Sequence, residues 1–71
     1  MNRYLIILER TRTGWSAYSP DLPGCVAAGR TRRDTCRLMR RAIALHLEAE
    51  VAAGRRLPAR PRAFPAYVTV G

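Results

Sequence analysis

The chain has 71 residues, 48% of them apolar, and sets 13 basic side chains against 5 acidic ones for a net charge of +8. Its length allows one domain, 1–71, that buries only about 60% of the surface its unfolded form exposes, and its apolar content excludes a disordered tail. All the basic residues are arginine, and the pI of about 11.3 means that the folded surface attracts polyanions or an acidic protein face.

Arg3 to Glu9 opens the chain with large apolar residues on both faces, Tyr4, Ile6 and Leu8 against Leu5 and Ile7, which predicts a strand covered at least partly on two sides. The run is too short for a signal peptide or a membrane span and stops at Glu9-Arg10, so the reading is of a soluble, cytoplasmic chain. Arg10 to Gly14 is a hairpin loop, and Trp15 to Ser19 is the antiparallel return. Trp15, Ala17 and Ser19 fall on one face of that strand, Ser16 and Tyr18 on the other.

The segment Ser19-Pro20-Asp21-Leu22-Pro23-Gly24-Cys25 must reverse the backbone. Its two prolines fix φ and remove donors, while Gly24 can take a positive φ without steric cost. Asp21 is expected to accept from a backbone N–H one or two residues on, as Asx turns do. A short third strand, Cys25 to Ala28, follows and closes at Gly29. Thr31 with Asp34 then reads as a helix N-cap with a partner one methylene shorter than the usual Glu.

One helix is expected from Arg32 to about Ala53. Cys36, Met39, Ala42, Ile43, His46, Leu47 and Ala49 form its buried face; Arg33, Arg37, Arg40, Arg41, Ala44 and Glu48 lie opposite. Gly54 is placed at C′, with Arg55 and Arg56 at the negative end of the helix dipole. Leu57 to Pro65 is a Pro- and Arg-rich connector, and Ala66 to Val70 alternates as a last strand. The order βββαβ makes a two-layer α+β domain, an antiparallel sheet with one helix packed on one face. One helix cannot cover both faces, so Leu5, Ile7 and their neighbours need a partner or stay exposed, and such patches mark interaction surfaces. A thin core also favours a homodimer or higher homo-oligomer.

Catalysis finds little support. The five acids are Glu9, Asp21, Asp34, Glu48 and Glu50, and they sit at a strand end, a turn, a cap and two sides of a helix, which does not suit two-metal phosphodiester chemistry. His46 with Glu50 one turn on reads as a local pair at the core edge rather than a general base. Two cysteines and one histidine without ligand spacing argue against zinc. The expectation is a chain with no catalytic residues, metal or cofactor. The arginine face, Arg33, Arg37, Arg40 and Arg41, extended by Arg55 and Arg56 and through the flanking loops by Arg30, Arg60 and Arg62, is either a solvated surface or a contact for nucleic acid or an acidic protein.

Pro20-Asp21-Leu22-Pro23-Gly24-Cys25, Gly29-x-Thr31, the run Ala42 to Glu48, and Gly54 with Pro58 together resemble the HicB family of antitoxin domains over nearly the whole chain. The resemblance implies a partial RNase H-like fold and a non-enzymatic role. It implies binding to a HicA-type toxin, a small ribonuclease acting on mRNA, and silencing by occlusion of its active site. The matching surface would be the proline loop, Asp21, Leu22, Pro23 and Gly24, with Trp15 and Tyr18 beside it. The chain departs from typical members in two ways. No C-terminal DNA-binding domain is expected after Gly71, and the positive charge reverses the usual acidic sign, where like-charged faces would cost affinity and on-rate. The alternative is a solitary, basic, nucleic-acid-binding or regulatory module.

Overall fold

A computed structural model describes residues 3–57 and 62–71. Three strands, β1 (Ile7–Arg10), β2 (Trp15–Tyr18) and β3 (Val26–Gly29), precede one helix, α1 (Arg32–Ala52). The strands form an antiparallel sheet in the order β1-β2-β3, with Ile7 opposite Tyr18 and Tyr18 opposite Val26. This is the expected α+β arrangement, with the helix lying chiefly against β3 and β2.

Local chemistry accounts for each junction. The β1–β2 hairpin closes where the Thr11 N–H donates to the Gly14 carbonyl at 2.8 Å and the Gly14 N–H donates to Thr11 Oγ1 at 3.0 Å. At the helix start Thr31 has extended backbone (φ −122°, ψ 160°), and its hydroxyl oxygen accepts from the Asp34 N–H at 3.0 Å. At the other end, Gly54 (φ 75°) donates to the Val51 carbonyl and Arg55 N–H to the Glu50 carbonyl, the paired bonds of a Schellman cap.

The core is small: Ala17, Leu22, Cys25 and Met39 are buried, with Tyr4, Ile6, Leu8, Ala27, Ala42, Ile43 and Leu47 packed around them. Thr35 is also wholly buried, and its hydroxyl donates to the Thr31 carbonyl at 2.8 Å, which removes the desolvation penalty of an unpaired group. Its position is possible because β3 ends in Gly29. A Cβ at Gly29 would lie 2.8 Å from Thr35 Oγ1, closer than real Cβ contacts come.

The structure departs from the expected elements in four places. The first strand begins at Ile7 rather than Arg3, because β2 ends opposite Ile7 and the chain then turns. Beyond that point the Ser19 hydroxyl donates to the Leu5 carbonyl at 2.9 Å in place of a ladder bond. Thr35 lies on the buried helix face and Ala49 is exposed, since the helix leans its N-terminal half onto the sheet. Asp21 makes no local Asx bond; its carboxylate accepts from the backbone N–H of Arg62, at 3.2 Å to each oxygen. Finally, the strand expected over Ala66 to Val70 is not formed. Beyond the Arg62 contact, residues 62–71 run without turn or bend and join no strand among the described residues. The connector expected over Leu57 to Pro65 lies in large part outside the described residues, as does Arg60.

Candidate partner-binding surface

The proline loop is two consecutive tight turns. In the first, the Leu22 N–H donates to the Ser19 carbonyl at 3.2 Å across Pro20-Asp21; in the second, the Cys25 N–H donates to the Leu22 carbonyl at 3.1 Å across Pro23-Gly24. Proline followed by glycine at a φ of 84° is the signature of a type II turn. The first turn uses the Leu22 N–H and Pro23, two residues on, has no N–H to give, so the Asp21 carboxylate finds no Asx partner and instead clasps Arg62 across 41 positions of sequence.

Between the two turns Leu22 points inward. It is only 2% exposed and belongs to the core, so it offers a partner no side-chain surface, contrary to its place among the expected contact residues. Pro23 and Gly24 are exposed, and Asp21 is half-buried. The loop is therefore pinned from beneath by Leu22 and from the side by Arg62, with Pro20, Pro23 and Gly24 as its outer rim.

The two faces of the sheet differ. Tyr4, Ile6, Leu8, Ala17 and Ala27 turn toward the helix, as the register pairing Leu8 with Ala17 and Ala17 with Ala27 requires. On the other face no helix lies among the described residues. There the register aligns Ile7, Tyr18 and Val26 in one row across all three strands. Tyr18 is 42% and Val26 65% exposed, while Leu5 and Ile7 are half-buried. The row starts one residue from the proline loop, so Tyr18 and the loop form one continuous surface. Trp15 does not join it. It sits three residues along β2, about 10 Å away, on the opposite face, where the Arg10 guanidinium stands 5.2 Å over its ring. Of this row the sequence singles out Tyr18 but not Val26; the alternation of β3 carries the signal, but only the register assigns Val26 to Tyr18's row.

The outward side of α1 presents Arg33, Arg37, Arg40 and Arg41, all exposed, and among the described residues no carboxylate lies within ion-pair reach of any of them. Arg55 differs. Its Nε donates to Glu50 Oε2 at 2.7 Å, which holds the Glu50 carboxyl below its ordinary range, with His46 3.9 Å from the other oxygen. Arg56 is exposed. The remaining acids stay dispersed, Glu9, Asp34 and Glu48 on the surface and Asp21 in its clasp. Burial pushes the Cys25 thiol up, which leaves it protonated and unreactive, and Cys36 is the more accessible of the two free cysteines. Among the described residues no helix is long and apolar enough to cross a membrane.

Beside the N-terminal segment lies a trough of about 700 Å³. Tyr4 and Ile6 line one wall, and Cys36, Met39, Ile43 and Leu47 of α1 the other.

Comparison with known proteins agrees with this architecture. The family model described as the HicB-like antitoxin of bacterial toxin–antitoxin systems matches residues 4–69. A solved structure described as the HicA3 and HicB3 toxin–antitoxin complex contains a chain similar to this one, at 37% identity, with a TM-score of 0.70, over 84% of this chain and 70% of that chain. Among curated proteins no sequence matches.

Proposed function

The chain belongs to the HicB-like antitoxin family of bacterial toxin–antitoxin systems, and from that premise we propose that it binds a HicA-like toxin through the helix-free face of its sheet and silences it by covering the active site. The observation that carries this reading is the row Ile7, Tyr18 and Val26, an apolar stripe left open in a molecule with little core to spare and continuous with the rigid rim of Pro20, Pro23 and Gly24. Association there removes apolar area from water, while the pre-formed double turn enters the interface without an ordering cost. An inhibitor that works by occlusion needs shape and burial rather than acids or bases, and the dispersed carboxylates suit that role.

Growth rescue tests the proposal. The chain is co-expressed with a HicA-like toxin, as the natural sequence and as Tyr18→Asp with Val26→Asp. Both positions are largely solvent-exposed, so the pair should cost little fold stability. Rescue by the natural chain and its loss in the double variant, with the far-UV circular dichroism unchanged, supports the reading. Undiminished rescue by the variant overturns it.

A second reading rests on one specific observation, the four helix arginines with no acid in reach. It makes α1 a contact for nucleic-acid phosphates and predicts binding that weakens steeply with salt. Arg37→Glu with Arg40→Glu abolishes such binding if the helix carries it.

A further inference from the structure

The three strands hold two charged side chains, Glu9 and Arg10, and alternation sends them to opposite sides of the sheet. Arg10 lies on the helix side, over the Trp15 ring. Glu9 shares the other side with Ile7, and the register sets it opposite Ser16, with Ser16 in turn opposite Ala28. Glu9, Ser16 and Ala28 thus form a second row beside Ile7, Tyr18 and Val26, about 7 Å from it on the side away from the proline loop. Glu9 and Ala28 are exposed and Ser16 is half-buried. Among the described residues no basic group comes within ion-pair reach of the Glu9 carboxylate.

We infer that Glu9 fixes how the toxin docks: its carboxylate, with the Ser16 hydroxyl beside it, receives an arginine or lysine side chain of the HicA-like toxin. This deepens the reading of the helix-free face given above and rests on it.

The chain as a whole carries +8, so its field opposes a basic partner. That charge is unevenly placed. Arg33, Arg37, Arg40 and Arg41 stand on the outward side of α1, with the helix between them and the sheet. A helix is about 10–12 Å across, more than the Debye length of about 8 Å at physiological salt, so these arginines are largely screened from a partner on the other face. The strand positions of that face carry one formal charge, and it is negative. Arg12 in the hairpin and Arg30 just past β3 stand at the end of the sheet beyond Glu9. A partner cation displaced toward them meets like charge, which disfavours the wrong placement as well as favouring the right one. Directly opposed residues have Cβ atoms about 4.5–5.5 Å apart, so Glu9 and Ser16 can both accept from one guanidinium or ammonium group. The short side chains of Ser16 and Ala28 leave room for it, and the apolar row alongside keeps water from one flank, which strengthens the attraction. With the proline loop on one side of the apolar row and Glu9 on the other, the toxin can seat in one direction only.

The test measures binding of the full chain to a HicA-like toxin by isothermal titration calorimetry. Glu9→Arg is expected to weaken binding by at least about tenfold and Glu9→Gln by less, with the circular dichroism of both free chains unchanged. Glu48→Arg, at an exposed position of α1, raises the net charge by the same amount as Glu9→Arg and is expected to leave the affinity unchanged. Among toxin variants with one surface lysine or arginine changed to glutamate, one is expected to restore binding to the Glu9→Arg chain. Full binding by Glu9→Arg, an equal loss in Glu48→Arg, or the absence of any restoring toxin variant overturns the inference. The underlying reading fails differently. Undiminished binding by Tyr18→Asp with Val26→Asp removes the face and Glu9 with it, whereas binding lost in that pair but kept in Glu9→Arg leaves the face standing and removes Glu9 alone.

Discussion

Truncation of Leu22 to alanine separates the two roles a residue in the proline loop can have. Leu22 lies between the exposed prolines but is only 2% exposed, and it is one of four buried apolar residues at the centre of the core. Removing three buried carbons from such a site costs about 2–5 kcal/mol through lost transfer energy and the cavity left behind. At roughly 0.05–0.15 kcal/mol per residue, a domain of this length has only about 4–11 kcal/mol in all. Leu22→Ala is therefore expected to remove a large part of the total. Urea denaturation followed by circular dichroism, at one protein concentration for both chains, reads the effect as a lower midpoint with a similar slope. An unchanged midpoint together with lost toxin binding would refute the reasoning and return Leu22 to the contact surface.

Gly24→Ala is expected to cost about 1–2 kcal/mol by the same assay, from the positive φ alone, since a Cβ there would meet nothing within 4 Å. A neutral result would mean that the loop can change turn type. Acid should also act through Glu50, whose carboxyl the Arg55 hydrogen bond, and to a lesser degree His46, hold below the ordinary range. The stabilisation is fully present above the unfolded carboxyl pKa of about 4.3 and is lost as pH falls through the lower folded value. Glu50→Gln should flatten that part of the stability–pH curve, and an unchanged curve would contradict the pairing. The pair is exposed, so the effect is small and shrinks in high salt.

Much of the fold was legible because its signals are local. Pro-x-x-Pro-Gly demands a reversal, Thr31 with Asp34 demands a helix start, and Gly54 demands a stop; each of these is a backbone requirement that a few neighbouring residues satisfy. Long-range features were not. Asp21 has the composition of an Asx turn, yet its partner lies at Arg62, because the Leu22 N–H is used by a backbone turn and Pro23 has none. Leu22 sits in a polar, proline-rich stretch that reads as surface, and only the placement of α1 shows that it points into the core. Alternation in Ala66 to Val70 predicts a strand, but alternation specifies only a conformation. A strand also needs to lie along a sheet edge, and the segment pairs with neither of the open edges that β1 and β3 present. The candidate surface was half legible: Tyr18, Pro23 and Gly24 were named from the chain, while Val26 became visible only through the register that aligns it with Tyr18, and Trp15 proved to face the other way.

The central claim is that the helix-free sheet face is where the toxin sits. Amide hydrogen exchange on the chain, alone and with a HicA-like toxin, tests this most directly. The account predicts new protection at Ile7, Tyr18, Val26 and the loop from Pro20 to Gly24, with the Arg33 to Arg41 side of α1 unchanged. Protection confined to that helix side, with β2 and β3 exchanging as before, would contradict it.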